Sequence, residues 1–341
     1  MFGTLRFILA LLVVGCHTDW FVNPAEVTAA RELDLGGIAV IVFFILSGFV
    51  MTATVCRYYA TRELYGAFIQ DRAFRIFPQY FFWLIVTIIW IRFFNPSAQP
   101  VSVWPILENI VLLPLMFSVW DCQPLLSRIY YIGQAWSLSL ELYFYLLLPV
   151  LLWSTKLRNA AFTLSLVIFA LATFNIINPN VYSYHLLPGV LFIFLLGGLA
   201  YEEMSAGESA GTRLLRPYLL VVLLAILGNS LRTLHYHWTP EVLIGIFCGV
   251  PLVAWLSRWQ TNPLDDWLGN LSYGIFLNHY FVIGLIVRYK FVTGRWPAFF
   301  FTALGAILLA IPSYYLVERP VAKLRRVLRK KLPPVANLSS P

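Results

Sequence analysis

Long apolar runs alternate with short polar segments along almost the whole chain. Read with a window of about 19 residues, the runs predict helices near 2–20, 35–55, 76–94, 138–153, 160–178, 186–201, 218–231, 241–256, 271–291 and 298–317. Most approach the roughly 20 residues a helix needs to cross a bilayer core. A shorter run at 106–120, interrupted by Pro114 and carrying Glu108, suits an interfacial or re-entrant helix. The expectation is an all-α, polytopic integral membrane protein with about ten transmembrane helices. Residues 1–331 form one transmembrane domain, and 332–341 a flexible C-terminal tail. No internal repeat or low-complexity segment interrupts this pattern.

Composition sharpens the picture. Hydrophobic residues make up 60% of the chain and charged residues only 12%, where a soluble domain carries about 25% charged residues. Lipid must therefore be the solvent, and lipid admits only helices or closed barrels. The runs are too long and unbroken for the alternating strands of a barrel. The net charge of +8 sits between the runs, as topology signals do, and excludes a nucleic-acid partner. With the N-terminus in the cytoplasm, the inner side collects most of the 24 Lys and Arg, among them Arg6, Arg62, Arg72, Arg75 and the basic segment 319–331. Both termini are then cytoplasmic and the location is the cell inner (plasma) membrane. The outer loop with Arg288, Lys290 and Arg295 runs against the rule. Cys16, Cys56 and Cys248 fall in or beside apolar runs and Cys122 in a long loop, a spacing that predicts neither disulfides nor a metal site but small buried side chains. Residues 13–16, VVGC, resemble a lipoprotein cleavage box, but the weakly basic start predicts a retained first helix.

Ionisable groups inside spans are costly and point to function. His17 lies in the outer half of the first helix, eleven residues after Arg6. Eleven residues make about three turns, so both share one face. An imidazole there is suited to take a proton from a hydroxyl, or it is an interfacial histidine beside Asp19 and Trp20. Arg72 and Arg75, spaced i, i+3 before the third span, either clamp a phosphate-bearing ligand or anchor the helix at the inner surface. Glu141 starts the fourth span, where it orients a histidine, binds a sugar hydroxyl or pairs with an arginine. Asn278 and His279 form a polar pair in mid-span, either functional or an interhelical bond. Glu318 and Arg319 are expected to pair with one another, and His185, His235 and His237 to be solvated in outer loops. Trp20, Trp104, Trp120, Tyr130, Tyr131 and Trp136 read as an interfacial belt, with sugar stacking as the alternative. On these residues alone, an enzyme and a small-solute transporter are both open.

Six segments in order, LRFILALLVVGCH, GGIAVIVFFILSGF, RAFRIFP, WSLSLELYFYLLLP, LSYGIFLNH and VERP, resemble the acyltransferase-3 family of membrane O-acyltransferases. The likeness covers nearly the whole chain and implies transfer of an acyl group, usually acetyl, from cytoplasmic acyl-CoA to a hydroxyl of a cell-envelope glycan. Acyl-CoA is then a donor substrate, not a resident cofactor, and no metal is required. By the same resemblance His17 is catalytic with Arg6 as its motif partner, and Arg72 and Arg75 are the Arg-x-x-Arg pair of the donor. The mechanism expected from this adds Arg6 to the donor phosphates and has Glu141 or His279 support His17. Ser47, Trp136, Ser137 and Asn278 are substrate-binding, with Ser47, Gly48 and Phe49 forming a Ser-Gly-Phe turn and Tyr145 completing the fourth-span motif. His17 acts as general base or carries the acyl group itself. Leu142 and Asn278 depart from the residues common in relatives. No C-terminal esterase domain is expected, and partners in a polysaccharide assembly pathway follow from the substrate class.

Overall fold

The computed structural model describes residues 1–22, 33–94, 103–118, 131–206, 217–218, 220–221 and 239–332. Among these the regular elements are all helical. They are α1 (Phe2–Val22), α2 (Leu35–Tyr58), α3 (Tyr65–Phe94), α4 (Val103–Val111), α5 (Ala135–Leu152), α6 (Thr155–Thr173), α7 (Leu187–Ala206), α8 (Thr239–Leu256), α9 (Pro263–Tyr289), α10 (Arg295–Ser313) and α11 (Arg319–Lys330). Nine described segments are long and apolar enough to cross a membrane. The span expected at 218–231 lies largely outside the described residues, as do His235, His237, Cys122, Trp120, Tyr130 and nearly all of the expected tail.

Helix ends follow local chemistry. Asn262 caps α9 by accepting from Asp265 N at 2.8 Å, and Pro263 supplies a preset first turn. At the other end Lys290 adopts a left-handed φ of 51°, and its N–H closes on Ile286 O. The short α4 stops at Leu112, which has φ 67°, ahead of Pro114, so this apolar stretch does not become a full span. Tyr80 and Ser139 bind it to α3 and α5 through Asn109 O (2.8 Å) and Leu113 O (2.6 Å). A π-helical segment, Tyr314–Glu318, joins α10 to α11 and rotates Glu318 into the bundle.

α1 and α9 pack as a parallel pair. Thr4 N and Oγ1 donate to Asp265 Oδ1 at 2.7 and 2.8 Å near one end, while His17 meets His279 near the other. Gly3 and Gly269 let these backbones approach. Gly48 on α2 lies against the Phe194 carbonyl of α7, where a methyl would overlap the oxygen. Small residues serve helix packing in lipid because attraction there comes from close contact and not from water exclusion. Gly48 is thus part of a continuous helix, and the expected Ser-Gly-Phe turn is replaced by this contact. The core runs through α2, α5 and α7, with Phe144 and Phe194 stacked at 4.5 Å.

One end of the bundle is basic. It gathers Arg6, the Arg62 guanidinium 5.4 Å over Trp153, the Arg158–Glu202 ion pair and all of α11. At the opposite end Arg295 pairs with Asp19 at 2.9 Å, which gives one of the basic residues of that loop a local partner. Trp20 and Trp104 are exposed there, as a belt requires, whereas Tyr131 and Trp136 are covered within the protein.

Candidate active site

A cavity of about 400 Å³ enters the bundle from the basic end. Its walls come from α1 (Arg6), α2 (Ser47 and Met51), α3 (Arg72 and Arg75), α5 (Ser137, Glu141 and Tyr145), α9 (Tyr273 and Phe276) and α11 (Arg325, Arg326 and Arg329). Six arginines face it against two carboxylates, Glu141 and Glu318, so it is electropositive. A basic recess with low-dielectric walls concentrates anions.

The arginines differ in how they are held. Arg72 is buried; its Nε and a terminal nitrogen donate to Asp71, its other terminal nitrogen reaches Met51 Sδ at 3.1 Å, and the group stacks 5.9 Å from the Tyr145 ring. Arg75 pairs with Glu318 and lies 5.3 Å over Tyr273. Glu318 therefore serves Arg75 and not Arg319, because the π segment turns residue 318 inward. Arg6 makes no hydrogen bond or ion pair among the described residues and borders the cavity.

Glu141 accepts from Ser47 Oγ at 2.6 Å and from the Tyr145 hydroxyl. Tyr145 lies four residues on, one turn along the same face of α5, and that face looks across to α2. Glu141 thus ties α2 to α5 beside the cavity, and His279 is the residue bonded to His17. Ser137 also borders the cavity, with its hydroxyl donating to Gln134 O at 3.0 Å.

His17 Nδ1 and His279 Nε2 are 2.8 Å apart. The rings are parallel within 4° and their centroids 5.1 Å apart, the separation of two imidazoles meeting edge to edge in one plane. His279 Nδ1 lies 3.2 Å from the Ile275 carbonyl, which can only accept. His279 therefore carries its proton on Nδ1 and presents a bare Nε2, to which His17 Nδ1–H donates. In the neutral pair this leaves the lone pair of His17 on Nε2. Tyr280 meets the His17 ring edge-on at 4.8 Å. The Phe276 ring, on the cavity wall, lies 6.2 Å from that of His279. About 16 Å of α1 separates Arg6 from His17, at 1.5 Å per residue.

Two expected substrate residues lie elsewhere. Asn278 is fully buried between α9 and α10 and donates to Ala306 O at 2.9 Å, an interhelical bond. Trp136 packs on Tyr184 and on His185, whose ring lies 4.6 Å away. His185 is buried and not solvated, its Nδ1 donating to Asn180 O at 2.6 Å, because Val181–His185 is wound into a π segment ahead of α7. Cys56 and Cys248 are exposed on the outer faces of helices, against the expectation of burial. Asp71 and the α11 arginines were not marked as site residues by sequence reasoning. The signal available was the acid directly before Arg72 and the i, i+4 spacing of Arg325 and Arg329.

The described helices thus form a membrane bundle with an electropositive cavity and, outside that cavity's lining, a hydrogen-bonded histidine pair. The acyltransferase-3 family model, described as an acyltransferase domain, matches residues 2–315, and the chain belongs to that family. It is a multi-pass membrane O-acyltransferase, which removes the transporter reading. The chain is 28% identical over 359 aligned residues to nodulation protein 10 of Rhizobium leguminosarum bv. viciae, covering 96% of this chain and 94% of that protein. It is 24% identical to an O-acetyl transferase of Shigella phage Sf6, over 93% of this chain and 94% of the relative. The exopolysaccharide production protein ExoZ of Rhizobium meliloti is 26% identical, over 90% of this chain and 96% of its own. No solved structure matches the chain.

Proposed function

We propose that this protein transfers an acyl group, most simply acetyl, from acyl-CoA to a hydroxyl of a cell-envelope polysaccharide or its lipid-linked precursor. The names of the relatives, an O-acetyl transferase and an exopolysaccharide production protein among them, support the acceptor class. The observation that carries the chemistry is the His17–His279–Ile275 chain, which directs the unshared electron pair of His17 outward through Nε2.

The basic end faces the cytoplasm of the inner membrane, in keeping with the positive-inside rule. Donor phosphates meet Arg6, Arg72 and Arg75, and the pantetheine arm runs along the cavity toward Phe276. Ser47, Ser137 and Glu141 line the path of that arm. His17 Nε2 takes the proton of the acceptor hydroxyl as its oxygen attacks the thioester carbonyl. That attack forms the C–O bond of a tetrahedral intermediate, which re-forms the carbonyl as the C–S bond breaks, and the proton passes from His17 to the departing CoA sulfur. His279 positions His17 and shares the positive charge that forms on it. A general base of this kind is worth about 10²–10⁴-fold in rate.

The test uses radiolabelled acetyl-CoA and a glycan extract of the native host, with membranes carrying wild type or His17→Ala at equal protein level. Label on glycan with wild type, reduced at least about 10²-fold in the variant, is the expected result. Equal labelling by both removes His17 from the mechanism, and no labelling by wild type removes the donor and acceptor assigned here.

A further inference from the structure

The family match ends at residue 315, yet part of the cavity wall lies beyond it, on α11. α11 has no buried residue, and its exposed Leu324 and Val327 form an apolar side suited to the membrane surface. Its other side closes the cavity with Ala322, Arg325, Arg326 and Arg329.

These arginines have separate tasks. Arg325 reaches Asp71 Oδ1 and Oδ2 at 3.0 and 3.3 Å, and Arg329 reaches the same two oxygens at 3.1 and 2.7 Å. Both are thereby committed to fastening α11 onto α3. Arg326, exposed at the mouth, makes no hydrogen bond or ion pair among the described residues. Arg6, half-buried on α1, is the other cation of the cavity wall without such a partner among those residues. The cavity thus presents two guanidiniums from different helices, Arg6 of α1 and Arg326 of α11, that make no hydrogen bond or ion pair among the described residues, alongside the paired Arg72 and Arg75.

A ligand matched to this arrangement carries two anionic groups set apart from one another. Coenzyme A has a diphosphate in its chain and a separate phosphate monoester on the ribose, which carries about −1.5 to −2 at neutral pH. A guanidinium recognises such a monoester through paired N–H donors. We propose that α11 is the outer half of the donor site and that Arg326 reads the 3′-phosphate of CoA, selecting acyl-CoA over donors that lack it. This rests on the acyl-CoA reading above and assigns a specificity residue outside the matched domain.

The test compares acetyl-CoA with 3′-dephospho-acetyl-CoA as donors for the full-length protein in vesicles with and without anionic lipid. Wild type is expected to favour acetyl-CoA by about tenfold or more in kcat/KM, the scale of one charge-assisted contact. In Arg326→Gln that ratio falls to within about threefold of unity through loss on acetyl-CoA, and Arg326→Lys restores part of it. An unchanged ratio in Arg326→Gln overturns the proposal. So does an equal loss on both donors that follows anionic lipid content, which would make Arg326 a headgroup contact. If wild type uses neither donor, the acyl-CoA reading falls and this one with it; if it uses both without preference, this one falls alone.

Discussion

Replacing Asp71 by Asn removes one negative charge from a point where the guanidiniums of Arg72, Arg325 and Arg329 converge. Asp71 and Arg72 have side chains only 7% and 4% exposed, while Arg325 and Arg329 keep 13% and 27%. Removing one partner of a buried ion pair costs about 3–5 kcal/mol, because the other charge is left uncompensated. Asparagine keeps one acceptor oxygen, and the two α11 arginines regain some hydration, so the lower end applies, about 3 kcal/mol. Since α11 buries no residue of its own, most of that cost falls on its docking. At 1.4 kcal/mol per factor of ten, the undocked population rises about 10²-fold. Trypsin reports it through the basic residues of 319–331, its cleavage rate following the open population when reclosing is fast. In inside-out vesicles, cleavage of α11 is expected to be about 10²-fold faster in Asp71→Asn than in wild type, with acyl transfer reduced as the cavity wall departs. A cleavage rate within about threefold of wild type refutes the view that Asp71 holds α11. Cleavage in right-side-out vesicles instead would invert the orientation.

Three further outcomes follow from the same geometry. His279→Ala leaves His17 Nδ1–H without its acceptor and lowers kcat about 10²-fold or more, whereas His279→Gln, whose amide oxygen accepts that proton, recovers part of the rate; equal activity of His279→Ala and wild type would break the pair's assigned role. Ser47→Ala and Glu141→Ala are coupled, since each removes one side of the same 2.6 Å bond, and a double-mutant cycle on thermal stability is expected to give about 1.5–3 kcal/mol of interaction. Additive effects would show that the bond contributes nothing. Gly48→Val forces α2 away from the Phe194 carbonyl and lowers stability by about 1–3 kcal/mol, read as an earlier thermal transition in detergent; an unchanged transition would contradict the close α2–α7 contact.

The chemistry assigned to the histidine pair depends on direction as much as on distance. A carbonyl at Ile275 has no proton to give, so it sets the tautomer of His279 and, through it, that of His17. This is a positioning device built from a backbone group within α9 and a second imidazole, with no carboxylate in the chain. Glu141, the acid that sequence reasoning offered for the same task, is used to join α2 and α5 at the cavity.

What the sequence alone determined is what depends on local pattern and solvent. Apolar runs of bilayer length specified the helices, the distribution of Arg and Lys marked one end of the bundle, and the eleven-residue spacing put Arg6 and His17 on one face of α1. The ordered motifs disclosed the family. Partnerships were not legible, because each depends on how helices distant in the chain rotate and cross. Glu318 looked paired with its neighbour Arg319 until the π segment turned it toward Arg75, 243 positions away. Asn278 and His279 are adjacent, yet successive residues on a helix point about 100° apart, so one braces α10 and the other reaches His17. Asp71 drew no reading from the sequence, and only the return of α11 against α3 surrounded it with arginines. Local chemistry writes the elements into the sequence, but long-range packing in a medium that leaves no buried charge unpaired without cost decides which side chains meet.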